Sequence, residues 1–496
     1  MRLFLDDIYD RKMKILSMIN NSKQEVSIKD IVNETGLVSR TVSMIVKQFE
    51  QELDEDVFKV NYTNNIIKNV YATNIDINAI GRKYLLQSIM YKIIEQIFLY
   101  EKIDVSKFCE TEYISQPTFS RRRKKLKKIL QECGLNLSRE NRIIGEELRI
   151  RNFYFQFFSK ASNTWLFRPQ EFHELNDYFS QRIVEWENKS VIQQYHISLI
   201  TYISIVRSKQ RNFTNNKKLI ELSKKRINSP NLKTLFDYFS KSKNKTNEQI
   251  WSEASATLFI LYKEKIFNDP LEVEQYEMFF SKEHFSFIEH SNIFVKKIIN
   301  AFFDESTDRY LYLRVRQEID LYHLIVKTCF IDSKKFDYVY DERVYTNMDQ
   351  FEKTIREKTI RIFQQLKKTH YSEFFKQIPK YITETALIDY IYFSIYALFV
   401  ELKNSESQSI KIFVQDADIT MSNLLKQKIS CFFGSKVKCV DRLDLNPDLI
   451  ITDTNIVFAD KQVEQVYINR VSEFDFLVEN IERKILEKHS KEKREL

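Results

Sequence analysis

The sequence predicts a mainly helical, multidomain protein that closes on a small α/β domain. Three observations carry this. Glycine and proline number only 5 and 6 among 496 residues, too few turn formers for a sandwich or barrel of many short strands. From about residue 150 to about residue 400, apolar and aromatic residues recur at helical spacing. Beyond residue 410 the pattern changes to short runs of β-formers. A chain of this length divides into about three to five domains, and a hydrophobic content of 43% supports several cores.

The first informative stretch is Ser27 to Leu53, SIKDIVNETGLVSRTVSMIVKQFEQEL. Ile28, Ile31 and Val32 mark one face of a short helix, and Gly36 suits the left-handed residue that ends it. Leu37 packs in the turn. Ser39 is placed to cap a second helix with Val42, Ile45, Val46 and Phe49 on its inner face. Short helix, glycine turn and second helix are the order of a helix-turn-helix. Val57 to Ala72 alternates β-formers around Thr63-Asn64-Asn65, which reads as a hairpin. Helix-turn-helix plus hairpin makes a winged helix.

A second copy of that logic follows. VSKFCETEYISQPTFSRRRKKLKKIL aligns with the first at the second helix, with Leu37 matching Ile114, Thr41 matching Thr118, Val42 matching Phe119 and Phe49 matching Leu126. Ser115 or Gln116 caps the helix and Pro117 fits its first turn. Tyr113 stands where the first copy has Gly36, and Arg122 and Arg123 replace Ile45 and Val46. Their stems are expected to pack while their heads snorkel outward. Seven cations fall between Arg121 and Lys128. Like charges at i,i+4 repel, so the run is either a solvated face or a surface for a polyanion. Residues 1–155 hold 26 basic against 21 acidic residues, which is +5 of the chain's net +8. Such a cluster suits phosphate backbones.

Beyond residue 150, amphipathic helices succeed one another, with Asn216–Lys233 and Lys241–Gln249 expected as loops and Glu401–Ser409 as a linker. Short strands are expected at Ile410–Gln415, Val437–Arg442, Leu449–Asp453 and Val463–Asn469. A helix, Ser422–Phe433, lies between the first two, and a closing helix runs from Glu473 to about Lys488. This order predicts a small, mainly parallel α/β domain.

Several classes are disfavoured. Neither GxxxxGK[ST] nor GxGxxG occurs, so no Gly-rich phosphate cradle is expected. The cysteines Cys109, Cys133, Cys329, Cys431 and Cys439 show no CxxC spacing and suggest neither a disulfide framework nor a zinc site. The N-terminus, MRLFLDDIYDRKMKIL, is acidic where a signal peptide needs an apolar core. No stretch approaches about 18 uninterrupted apolar residues. A cytoplasmic protein without enzymatic activity, cofactor, metal or membrane association is the expectation.

The order of parts resembles the Mga/AtxA-like PRD-containing transcription regulators of Gram-positive bacteria, a family of virulence regulators. The most specific stretch is Ile114 to Phe158. Within it, IIGEELRIRNFYF (Ile143–Phe155) is similar to the I-x-G-x-E-x-x-I-R-x-F pattern that leads into that family's regulatory domains. The resemblance implies a winged helix-turn-helix over residues 1–75 and a second, Mga-like helix-turn-helix over 76–160. Two helical PRDs, domains regulated by the sugar phosphotransferase system, are implied over 161–288 and 289–403. An EIIB-like domain that helps form a homodimer is implied over 408–490. The implied partners are promoter DNA, AT-rich or curved, a phosphotransferase-system phosphocarrier protein and RNA polymerase.

Side chains near the start of a recognition helix meet base edges, and later cations meet phosphates. Gln116, Thr118, Ser120 and Arg121 are therefore assigned to the groove, and Lys124, Lys125 and Lys128 to the backbone, with Arg122 in the same DNA-facing set. The counterparts in the first copy are Ser39, Arg40, Thr41, Ser43 and Lys47. Lys59, Asn64, Asn65 and Lys68 would touch phosphate from the wing. Some six phosphate contacts would give a steep salt dependence.

The stretch YHISLITYISIVRSKQR, Tyr195–Arg211, resembles the PRD helix with a phosphorylatable histidine, here His196, followed by Arg207. A weaker repeat, Leu321–Asp332, puts His323 at the equivalent place. The alternative for both is a satisfied, half-buried core histidine. His284, His290 and His370 are lesser candidates, and His173 and His489 read as surface residues. EIIB-like carriers hold their phosphoryl group on a cysteine just after the first strand. Here that loop reads DADIT, Asp416–Thr420, so the domain is expected to serve association only. The alternatives are an RNA-binding antiterminator of the PRD type, which needs a small β-domain at the N-terminus, and a regulator whose PRDs bind partners without taking phosphate.

Overall fold

The computed structural model describes residues 1–21, 25–52, 60–63, 66–69, 77–161, 169–183, 186–214, 216–225, 229–241, 245–267, 287–303, 309–338, 350–406, 409–415, 419–440, 442–452, 463–467 and 474–491. The chain is mainly helical, with a helix-turn-helix region and a small parallel sheet near its C-terminal end. It forms two compact units. One is Met1–Phe285 with Leu321–Asp341 and Ile378–Thr383, and the other is Ser286–Asp320, Glu342–Gln377 and Glu384–Leu496.

The first unit opens with α1 (Asp7–Asn21), β1 (Glu25–Ser27), α2 (Ile28–Thr35) and α3 (Ser39–Glu52). Ser27 and Asp30 form a capping box on α2. Gly36 ends it at φ 70°, its N–H donating to the Val32 carbonyl at 2.8 Å. Ser39 is the first helical residue of α3 rather than its cap; the Val38 carbonyl accepts from the Thr41 and Val42 amides. Val42, Ile45, Val46 and Phe49 are buried as the spacing required.

Strands β2 (Val60–Thr63) and β3 (Ile66–Asn69) pair antiparallel across residues 64–65. The sheet has a third strand that no pattern in the sequence announces. β1 pairs with β3, Val26 opposite Ile67, giving the order β1-β3-β2. Three residues are too few for the period-2 alternation that marks a strand. Lys12 of α1 is buried and donates to both carboxylate oxygens of Glu52 at 2.5 and 2.8 Å, and Tyr84 donates to the same carboxylate at 3.0 Å. These bonds join α1, α3 and α4 (Ile77–Gln87).

Then come α5 (Ile89–Tyr100), α6 (Val105–Thr111), α7 (Gln116–Glu132), a two-strand ladder of β4 (Asn136–Leu137) and β5 (Ile143–Ile144), and α8 (Glu147–Ala161). Helix α8 is buried on nearly every side, from Leu148 and Ile150–Phe158 to Ala161, and the buried set includes the polar Arg151, Asn152 and Gln156 beside its aromatic rings. Its rings pack with Phe4, Tyr91, Phe98 and Phe336. Around it lie α9 (Pro169–Ser180), α10 (Val191–Lys209), α11 (Lys217–Lys225), α12 (Pro230–Ser240) and α13 (Asn247–Lys263). Much of Asn216–Lys233, expected as a loop, is helix, because Leu219 and Ile220 supply a buried face and Pro230 starts a helix at its first turn. Lys241–Gln249 shrinks likewise, since Thr246 and Gln249 form the capping box of α13.

The second unit contains α14 (Ile288–Phe302), the beginning of α15 (Arg309–Thr328), α16 (Gln350–Leu366), α17 (Ser372–Gln377) and α18 (Glu384–Glu406). Helix α18 runs through most of the expected linker Glu401–Ser409. That segment has no glycine or proline to stop it. The α/β domain follows the expected order: β6 (Ile410–Gln415), α19 (Ile419–Phe433), β7 (Val437–Val440), β8 (Leu449–Thr452), β9 (Gln465–Tyr467) and α20 (Phe474–Lys491). All pairs are parallel, in the order β7-β6-β8-β9. Ile410, Ile412, Val414 and Ile451 face Leu425, Ile429, Leu477 and Ile481 of α19 and α20, while Phe413, Val440 and Ile450 form a smaller cluster.

Candidate nucleic-acid interface

Helix α6 is capped by the Asp104 carboxylate, which accepts from the Lys107 amide at 3.1 Å. The turn then passes through Tyr113 at φ 52° with its side chain 95% exposed. This is the position that Gly36 holds in the first copy, and the tyrosine takes the same left-handed conformation. An L side chain there costs about 1–2 kcal/mol, against a Gly penalty of roughly 0.5–1 kcal/mol in chain entropy. Tyr113→Gly is expected to raise the unfolding free energy by up to about 1 kcal/mol, read by urea unfolding; a loss of stability would mean that the ring makes compensating contacts.

Ser115 caps α7, accepting from the Thr118 amide at 3.3 Å, with Pro117 in the first turn. Phe119, Leu126, Ile129 and Leu130 are buried and fix the helix on α5 and α6. That burial decides the fate of the seven cations. Arg122 turns to the N-terminus of α1, its guanidinium 3.1 Å from Asp6 and 3.2 Å from Asp7. Arg123 donates to Asn141 Oδ1 at 2.5 Å and to the Ser138 carbonyl at 2.7 Å, which pins the turn between β4 and β5. Lys125 Nζ donates to the Leu5 carbonyl at 3.3 Å. Arg121, Lys124 and Lys128 remain exposed, together with Gln116 and Ser120, and Lys127 is half-buried. Their three- and four-residue spacing puts Arg121, Lys124 and Lys128 on one stripe. Lys124 and Lys128 have no ion-pair partner among the described residues. Thr118 is half-buried and its Oγ1 lies 3.0 Å from Ser115 Oγ and 3.4 Å from the Arg121 guanidinium.

By sequence Arg122 and Lys125 belong to the DNA-facing set; in the structure both heads are held instead by the chain's own N-terminal segment. The partners of Arg122 stand in the sequence as Asp6-Asp7, but Asp7 is 115 residues away and no pattern links them, and the partner of Lys125 is a backbone carbonyl, that of Leu5. In the first copy, Ser39, Arg40 and Lys47 are exposed, while Thr41 and Ser43 are half-buried. Lys59, Asn64 and Asn65 lie outside the described residues, and Lys68 sits on β3.

Helix α5, packed against α7, carries an acid with a displaced titration. Burial pushes the Glu95 carboxyl up to about 7, Glu112 adds to the shift and Lys92 opposes it. A carboxyl raised in the folded state gives stability that is full below its unfolded value of 4.5 and is lost as the pH rises through about 7. Glu95→Gln is therefore expected to be more stable than the wild type at pH 8 by about 1–2 kcal/mol, after allowance for solvent screening. The gain should vanish near pH 5. Urea unfolding at both values checks it, and a gain equal at both would assign the effect to packing.

The joint between this region and the following helices is ionic and buried. Arg151 and Glu253 are both fully buried, and the guanidinium donates to Glu253 at 2.8 and 3.0 Å, to Glu147 at 3.1 Å and to the Asn212 carbonyl at 3.0 Å. Arg207 of α10 donates to Glu147 at 2.7 and 3.0 Å. Glu147 and Arg151 belong to the IIGEELRIRNFYF stretch, so that motif joins α8 to α10 and α13. His196 of α10 is half-buried, its ring edge-on to Phe155 of α8 at 5.1 Å, and burial lowers its pKa. His323 is fully buried. His173 is exposed, His284 lies outside the described residues, and the His489 side chain is not described.

Helix, turn and capped second helix with an outward basic stripe define a helix-turn-helix domain of the DNA-binding class. The family model described as the Mga helix-turn-helix domain matches residues 73–158. That segment is consistent with a Mga-like regulator and carries the coarse function with it, that of a DNA-binding transcription regulator. A comparison with curated proteins gives no match. No helix among the described residues is long and apolar enough to cross a membrane.

Proposed function

We propose that this protein is a transcription activator of the Mga/AtxA type that docks on promoter DNA through α7 and is modulated by histidine phosphorylation. The observation that carries the DNA-docking reading is the exposed stripe of Arg121, Lys124 and Lys128, led by Gln116 and Ser120 near the helix N-terminus. In this reading Gln116, Thr118, Ser120 and Arg121 approach base edges, and Lys124 and Lys128 neutralise phosphates. Ser39, Arg40, Thr41, Ser43 and Lys47 of the first copy, with the wing residues Lys59, Asn64, Asn65 and Lys68, form a second contact region. Arg122 and Lys125 act mainly within the protein and meet phosphate only if their internal contacts open. Titration of the full chain onto a long AT-rich duplex at several salt concentrations tests this. Binding should weaken linearly on a log–log plot, and absence of duplex binding at low salt would overturn the reading.

The division into residues 1–75, 76–160, 161–288, 289–403 and 408–490 belongs to the same proposal, with PRD-like regulatory domains at the third and fourth places and an association domain at the fifth. RNA polymerase and a phosphocarrier protein are its partners in the cytoplasm, and the working form is a homodimer. His196 is the favoured phosphoryl acceptor. Burial keeps its imidazole neutral and nucleophilic, part of its surface is open, and a charge of roughly −2 placed against Phe155 would disturb the α8–α10 joint. His323 offers no open surface for a donor. His196→Asp and His196→Ala should change reporter transcription in different directions or degrees; if both behave as wild type, the phosphorylation reading fails.

A further inference from the structure

We propose that His290, His370 and Glu373 form a binding site for a divalent transition-metal ion of the zinc type, completed by water. One ligand atom from each of the three lies within 4.8 Å of the other two. His290, on α14, is 7% exposed, whereas His370 and Glu373 have side chains 58% and 53% exposed. The two imidazoles are stacked, with centroids 5.6 Å apart and planes 8° from parallel. His370 Nδ1 is 3.4 Å from Glu373 Oε1. With bonds of about 2.0–2.2 Å, tetrahedral ligand atoms lie about 3.3–3.5 Å apart, so this edge already has the required length. The other edges need a closure of at most about 1.5 Å by the same bond lengths, together with a turn of the exposed His370 ring that brings its in-plane lone pair to converge with that of His290.

The backbone beneath the site is held. Tyr371 is fully buried, its ring 5.4 Å from Phe294 of α14 and 5.3 Å from Phe374. The Glu373 amide donates to the His370 carbonyl at 3.1 Å. His370 and Glu373 are thus fixed one turn apart beside α14. Two imidazoles and one carboxylate suit zinc, and three protein ligands leave the fourth position to water. Eighty residues separate the histidines, so no short spacing in the sequence announces the set. A bound ion would tie α14 to the turn that starts α17, within the second unit.

The test uses the full chain, stripped with a chelator and titrated with zinc chloride by calorimetry, with cobalt(II) absorption reporting coordination. Wild type should take up zinc at this site with a rise in melting temperature. His370→Ala, a change at an exposed position, should weaken uptake at the site by at least about tenfold to a hundredfold, the loss seen when even an outer-sphere partner is removed. Glu373→Gln should weaken it less. Cys431→Ser and His173→Ala, at exposed positions, should leave it unchanged. Absence of zinc uptake by wild type, or wild-type uptake and stabilisation in His370→Ala, would overturn the proposal.

Discussion

Changing Arg121, Lys124 and Lys128 together to alanine is expected to lower duplex affinity roughly a hundredfold near physiological salt and to reduce the salt slope by about 3. The three side chains share the outward stripe of α7, and each neutralised phosphate contributes about 0.9 to the slope. Arg123→Ala is the informative contrast. Its guanidinium is used on Asn141 and Ser138, so the change should cost stability and leave the slope near that of wild type. Equal slopes for wild type and the triple variant would remove α7 from the interface and leave binding to the first copy and its wing. These three are expected to carry most of the run's contribution, because Arg122, Arg123 and Lys125 are held by contacts within the protein.

Arg151→Ala is expected to destabilise the protein by about 3–5 kcal/mol. The substitution leaves Glu253 fully buried without its bidentate partner, and burial already raises that carboxyl above its usual range while Arg151 opposes the rise. The paired change Arg151→Met with Glu253→Leu should recover much of the loss, because neither member is then left as an isolated buried charge. Urea unfolding of the single and paired variants checks this. A cost below about 1 kcal/mol for Arg151→Ala would mean that the network is solvated or relaxed, contrary to the full burial of both side chains.

The elements of both helix-turn-helix copies are legible because their apolar spacing, the glycine turn of the first and the capping serine of the second are local signals. The succession of strands and helices along the α/β domain is legible from its local apolar runs, whereas the order β7-β6-β8-β9 in the sheet is set by tertiary packing. The expected loop at Asn216–Lys233 failed because a polar run with two adjacent apolar residues still buries one face once α13 is present to receive it. Glu401–Glu406 is helical because Glu401, Leu402 and Lys403 are good helix formers and neither glycine nor proline is present to end the helix.

The sequence by itself determined the class of domain that contacts DNA, the helix that carries the cations and the turn chemistry that positions it. Only the tertiary structure decided which cations face outward. Arg122 meets Asp6 and Asp7 across more than a hundred residues, and Arg151 meets Glu253 across 102. Pairings of that separation have no period to reveal them. They arise where packed helices bring distant charges together and burial makes an unpaired one costly.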